Sequence, residues 1–418
     1  MGPPSTASAA AAGRRAGAAL ALLTLVNLLN YLDRFVVSAL VESLRRSELS
    51  LSDAQLGSLM TSFILVYMLA SPAFGALADR GASRVRILAV GVALWCAATV
   101  LSGFARSYGE LFLARAAVGV GEAAYGTVAP ALLADLYPEE RRGRVYSIFF
   151  SAIPVGSALG YVLGGLVERA LGWRAAFWIA GGPGLLLAAA TLLLSDPPRG
   201  SREGAAAAPL RGLGWGRLLR NRAYVLAVAG YAAYTAAMGA LAFWMPAFLE
   251  RVRGLPRAQA TVVFGTVVVA TGFAGTFSGG FVADRLRRRT ERANLVVCGL
   301  SALAAAPLAV AVFVAPPGPA LAALVAALLL LFASTGPVNS AIVAAVAPGE
   351  RATAMGLSIL AIHVLGDVPS PWLVGLASDA WGLGTAVLGT PVAVLIAGAI
   401  WTFGARSGAR PPGPGRGP

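Results

Sequence analysis

The chain predicts an all-α membrane protein with twelve transmembrane helices arranged as two six-helix pseudo-repeats. Three observations carry this prediction. Of 418 residues, 57% are hydrophobic and only 12% are charged, about half the charged share of a soluble domain. Apolar stretches of membrane-spanning length recur along the chain. Sequence signatures of the first half return in the second.

The apolar content is too large for one water-soluble core, because cores stop growing near about 250–300 residues. A span needs about 20 apolar residues to cross ~30 Å of hydrocarbon. Stretches 54–78, 87–105, 145–167, 223–249, 258–283 and 380–405 meet this without a formal charge. Stretch 293–349 is also uncharged, and Ala315-Pro-Pro-Gly-Pro319 breaks it into two spans. Stretches 17–41, 111–134 and 352–378 are apolar but carry ionisable residues, and 175–194 completes the twelve. The predicted organisation is therefore a disordered lead (1–17), a six-helix bundle (18–194), a cytoplasmic linker (195–222), a second six-helix bundle (223–405) and a disordered tail (406–418).

The formal net charge is +14, and every one of the 33 basic residues is arginine. With the N-terminus in the cytoplasm, 23 arginines fall inside, 8 outside and 2 within spans. This is the positive-inside bias, with both termini cytoplasmic. The arginines form short clusters between apolar spans rather than a basic face, which excludes nucleic acid as a partner. Cys96 and Cys298 lie within spans and read as small buried hydrophobes. No cleavable signal peptide, metal-ligand cluster, catalytic triad or phosphate-binding loop is present, so neither a cofactor, a metal nor an enzymatic activity is expected.

The two halves echo each other. Gly75-Ala-Leu-Ala-Asp79-Arg80 follows span 2, and Gly280-Phe-Val-Ala-Asp284-Arg285 follows span 8, at an offset of 205 residues. Pro138-Glu-Glu140-Arg141 and Pro348-Gly-Glu350-Arg351 repeat at an offset of 210. Two echoes at nearly one offset indicate an internal duplication, the parallel-repeat architecture of major facilitator transporters. The Gly75xxxAsp79Arg80 run resembles that superfamily's loop motif, although Gly81-Ala-Ser-Arg84 departs from its usual ending. Asp79, Arg80, Arg84, Asp284 and Arg285 are accordingly the candidate gating residues, with Asp79 expected to pair with Arg80 or Arg84 or to face a helix N-terminus.

More specific runs are Asn30-Tyr31-Leu-Asp33-Arg34, Arg115xxxGlyxxGlu122, Gly239-Ala-Leu-Ala-Phe-Trp244-Met-Pro246, Gly336-Pro-Val-Asn339 and His363-Val-Leu-Gly-Asp367-Val-Pro-Ser-Pro371. Together they resemble the spinster family over nearly the whole chain. The resemblance implies a major facilitator fold and transport of lysophospholipids or sphingoid phosphates, several members being proton-coupled. A transporter of small organic anions or drugs is the alternative, since Asn30–Arg34 fits that class too.

Ionisable groups inside spans cost roughly 2.5–3.5 kcal/mol each and therefore face cavities and partners. Six fall here: Asp33, Arg34, Arg115, Glu122, His363 and Asp367. Arg115, Gly119 and Glu122 share one helix face, and at ~1.5 Å per residue Asp33 lies between Arg115 and Glu122 in depth. Asp33 and Arg34 point about 100° apart. Either an Asp33–Arg115 or an Arg34–Glu122 pair is possible between spans 1 and 4. Arg34 is the candidate for binding a lipid phosphate, because the guanidinium fork matches phosphate oxygens; Arg115, Tyr31, Asn339 and Trp244 are the other candidate substrate contacts. Asp33 and Glu122 are candidate proton carriers, since burial disfavours a carboxylate and a neighbouring arginine favours it. His363 and Asp367, four residues apart, form a candidate relay. The expected partners are an amphiphilic lipid, protons and the bilayer. The expected setting is a monomer in the cell (inner) membrane, working by alternating access.

Overall fold

The computed structural model describes residues 6–198, 215–346 and 351–407. Each predicted span is helical. The first six are α1 (Thr6–Arg46), α2 (Asp53–Asp79), α3 (Arg84–Ser102), α4 (Tyr108–Leu136), α5 (Glu139–Leu171) and α6 (Trp173–Thr191). After the short α7 (Trp215–Arg220) come α8 (Arg222–Arg251), α9 (Arg257–Arg287) and α10 (Ala293–Val314). The tenth span is α11 (Pro317–Phe332) with α12 (Thr335–Ala344). The eleventh is α13 (Arg351–Ile362), a π-helical stretch (His363–Asp367) and α14 (Pro369–Trp381). The twelfth is α15 (Leu383–Ala386) with α16 (Gly389–Arg406). Eleven helical stretches among the described residues are long and apolar enough to cross a membrane. The remaining span, α6, has 19 residues, and its tryptophans, Arg174 and Gly-Gly-Pro-Gly run lower its hydropathy.

Three boundaries differ from expectation. The helix α1 begins at Thr6, inside the predicted lead, because residues 9–12 are alanines, the strongest helix formers. It also continues past residue 41 to Arg46, carrying Glu42, which is 2% exposed and lies 3.4 Å from Arg46 one turn later. In the predicted linker, α7 is helical, while residues 199–214, like the tail from 408, lie outside the described residues.

The helices group into two units. Unit 1 comprises residues 1–51, 62–208 and 257–265; unit 2 comprises 52–61, 209–256 and 266–418. Two helix starts, residues 52–61 at α2 and 257–265 at α9, explain the breaks in these ranges. The start of α2 belongs to unit 2 because Asp379 caps it, accepting from the Asp53 and Ala54 N–H groups at 2.8 and 2.9 Å. Asp53 is in turn bound by Arg251 and by the Ser378 hydroxyl. The start of α9 belongs to unit 1 because Arg257 binds Glu168 and Ser43 there, and Thr261 packs on Gly165.

Close helix approach builds unit 1. Gly156, Gly160 and Gly164 form a stripe at four-residue spacing on α5, and α1 packs along it. A Cβ at Gly160 would collide with the Leu32 carbonyl and lie 3.0 Å from the Phe35 Cβ. Small residues that admit a neighbouring backbone are how helices associate without a hydrophobic driving force. This packing presents α1 to α3 and α4 at the layer of Asp33.

Candidate functional site

The site in unit 1 begins with two adjacent residues on α1. Their 100° divergence sends Asp33 and Arg34 to different partners. The Arg34 guanidinium donates through Nη2 to Glu122 Oε2 at 2.7 Å. Three rings surround it, with its central carbon 4.8, 4.9 and 5.4 Å from the centroids of Tyr31, Phe63 and Tyr67. Such cation–π contacts contribute about 0.5–2 kcal/mol each. The Arg34 side chain keeps 20% exposure, whereas Glu122 has none. Arginine is suited to this position because its flat, weakly hydrated cation stacks on rings while its edge still donates.

Asp33 turns inward and is 1% exposed. One oxygen accepts from Thr99 Oγ1 on α3 at 2.7 Å, and the other lies 3.5 Å from Arg115 Nη1 on α4. Arg115 is itself 1% exposed, and its central carbon stands 5.4 Å from the centroid of Phe63, so one ring serves both arginines. Both ion pairs anticipated between spans 1 and 4 are therefore present together. Two carboxylates and two guanidiniums sum to zero charge, which limits the cost of their burial. Hydrogen bonding is incomplete: Glu122 Oε1, Arg115 Nη2, Arg34 Nε and Asn30 Nδ2 are buried without a hydrogen-bond partner among the described residues. Unsatisfied buried groups are costly, and these offer donors and an acceptor to a ligand or a proton.

In unit 2, His363 Nδ1 lies 2.9 and 3.1 Å from the Asp367 oxygens. Both residues belong to the π-helical stretch, where the Val368 N–H bonds the His363 carbonyl five residues back. Pro369 and Pro371 follow, and a proline cannot donate to the preceding turn and crowds its carbonyls, so the helix widens there. Gly239 on α8 admits Asp367, since a Cβ would stand 2.8 Å from the aspartate Cβ.

Other candidates are placed differently. Trp244 is 1% exposed and donates to the Pro371 carbonyl at 2.9 Å, so it is a packing residue inside unit 2 rather than a wall open to ligand. The Asn339 amide donates to the Thr335 carbonyl at 2.8 Å. Arg84 turns to two carboxylates. It is 3% exposed, pairs with Asp135, and donates through Nε to Asp196 at 2.8 Å. Those two carboxylates enclose the guanidinium out of water. Arg80, Asp284 and Arg285 are exposed, and the Asp79 side chain lies outside the described residues. Thr99, Phe63, Tyr67, Asp135, Asp196 and Glu42 escaped the sequence reading. Only Glu42 carried a usable signal, an acidic residue two turns beyond Arg34 on the same face.

The comparisons with known proteins agree with this architecture. The family model of the Major Facilitator Superfamily matches residues 23–371. Protein spinster homolog 1 of Xenopus laevis is 34% identical over 382 residues, covering 86% of this chain and 72% of the relative. The sphingosine-1-phosphate transporter SPNS2 of Xenopus tropicalis is 34% identical over 387 residues, covering 88% and 74%. Among solved structures, a bacterial homologue of the human lysosomal transporter spinster superposes with a TM-score of 0.84 at 26% identity, covering 94% of this chain and 97% of that one. A D-xylose–proton symporter, at TM-score 0.70 and 18% identity, shares the fold. The protein is thus a multi-pass membrane transporter and not an enzyme. The chain belongs to the spinster family of the major facilitator superfamily.

Proposed function

We propose that this transporter moves lysophospholipids or related single-chain phospho- and sphingolipids by alternating access, coupled to protons. The observation that carries the proposal is the Arg34 guanidinium, part-exposed in its ring of Tyr31, Phe63 and Tyr67 and tied to Glu122. A phosphate monoester or diester competes with the Glu122 carboxylate for the same donors, while the rings accept the adjoining apolar chain. In this reading Glu122, displaced from Arg34, takes a proton, because an unpaired buried carboxylate favours its neutral form. Phosphate arrival and proton uptake are then linked through one arginine. Asp33 is the second proton carrier, Arg115 its counter-charge, and the His363–Asp367 pair a relay in unit 2. The name of the Xenopus tropicalis relative, a sphingosine-1-phosphate transporter, supports a phosphorylated single-chain lipid. Both termini on the cytoplasmic side of a cell membrane, and a monomeric state, complete the proposal.

The test is binding of lysophosphatidylcholine to the purified protein, beside a monoacylglycerol of the same chain length. The proposal expects the phospholipid to bind at least about tenfold more tightly, the worth of one charge-assisted hydrogen bond, and Arg34→Ala to remove the difference. Equal affinity for both in wild type contradicts phosphate recognition.

A further inference from the structure

Resting on the reading of Asp33 as a proton carrier, we infer that Thr99 on α3 is its positioning residue, the hydroxyl that holds the Asp33 carboxyl in both protonation states. Thr99 is fully buried and donates to Asp33 Oδ2 at 2.7 Å. Four other hydroxyls inside spans are used differently. Ser71, Ser102, Ser157 and Thr191 return theirs to the carbonyl four residues back, on Tyr67, Ala98, Ile153 and Leu187, the ordinary fate of such groups in helices. Thr99 sends its own across to α1. The neighbouring helix holds it there. Gly181 on α6 packs so closely that a Cβ at that position would stand 3.0 Å from the Thr99 Cβ.

The two partners of Asp33 differ in kind. Arg115 has only donors, so it cannot accept the O–H of the protonated acid. Its nearer nitrogen is 3.5 Å away, the limit of a hydrogen bond. A hydroxyl donates to the carboxylate and, rotated about its C–O bond, accepts from the protonated acid. Thr99 is therefore the partner that follows Asp33 through a proton cycle without a backbone shift. The charged and titratable groups around Asp33 are Arg34 on its own helix, Arg115 and Glu122 on α4, and the Cys96 thiol on α3. Beside them α2 contributes Phe63, α5 Gly160 and α6 Gly181 and Gly184, none of them ionisable.

The experiment combines infrared difference spectroscopy across a pH titration with gradient-driven uptake of lysophosphatidylcholine, in wild type, Thr99→Val and Thr99→Ser. The carbonyl band of protonated Asp33 is assigned by its loss in Asp33→Asn. In Thr99→Val the band moves to higher frequency, as for an acid without a partner. The maximal rate of gradient-driven uptake falls by about fivefold to tenfold, the worth of one net hydrogen bond, while KM changes less than about twofold. Thr99→Ser restores band and rate. An unshifted Asp33 band in Thr99→Val overturns the inference, as does a Thr99→Ser variant that behaves like Thr99→Val, since that result assigns the effect to methyl packing. A wild type lacking any Asp33 band overturns this inference and proton carriage together. A responsive band in a protein that does not move the lipid overturns the substrate alone.

Discussion

Arg34 and Glu122 meet at 2.7 Å within unit 1, the arginine side chain one-fifth exposed and the glutamate fully buried. The pair joins a group that a ligand can reach to one that it cannot. Any anion drawing Arg34 away leaves a buried carboxylate to be neutralised, and the proposed coupling follows from that asymmetry.

Replacing Arg34 separates charge from shape. Lysine keeps the charge but loses the flat fork and the stacking on Tyr31, Phe63 and Tyr67. Binding of lysophosphatidylcholine, measured by calorimetry, weakens by about tenfold in Arg34→Lys and by about a hundredfold in Arg34→Ala. An Arg34→Lys variant that binds as tightly as wild type would show that the fork contributes nothing.

Glu122→Gln retains the volume of the side chain and removes its charge. The Arg34 donors no longer face a carboxylate competitor, so lipid affinity rises by roughly threefold. Stimulation of uptake by an inward proton gradient disappears, because the group that trades lipid for proton is gone. Uptake that keeps its gradient dependence moves the coupling to Asp33 or to His363 and Asp367.

The glycine stripe of α5 sets the spacing of α1. Gly160→Val drives two methyl groups toward the Leu32 carbonyl and the Phe35 Cβ. Thermal unfolding in detergent should show a loss of about 1–3 kcal/mol, the range of overpacked cores. A valine accepted at no cost would contradict the close approach.

Arg84 and Arg80 make a paired test of the loop motif. Arg84 is enclosed by Asp135 and Asp196, whereas Arg80 is exposed. Breaking a buried pair by removing one partner costs about 3–5 kcal/mol, so Arg84→Gln destabilises strongly. Arg80→Gln stays within about 0.5 kcal/mol. Thermal denaturation of the two variants side by side checks the order.

The membrane architecture was legible because span length and charge exclusion are imposed by the bilayer and need no tertiary knowledge. The four charges of the site were legible for the same reason, each being too costly in a span to lack a purpose. That both ion pairs form at once was not. That depends on the rotation of α1 about its axis, set by the glycines of α5 and invisible in one helix's own pattern. Thr99 had no signature, since hydroxyls are common in spans and usually bond their own helix. Asp135 and Asp196 stand 51 and 112 residues from Arg84, so their meeting is a product of folding. Trp244 shows the opposite limit. Its family run marked it out, and in the fold it packs within unit 2 and donates to the Pro371 carbonyl.

The most direct test of the account is uptake of labelled lysophosphatidylcholine into proteoliposomes, with and without an imposed pH gradient, for wild type and Asp33→Asn. The account predicts uptake that the gradient stimulates in wild type and fails to stimulate in the variant. No uptake in either direction by folded wild type would contradict the lipid assignment and favour a small organic anion as substrate.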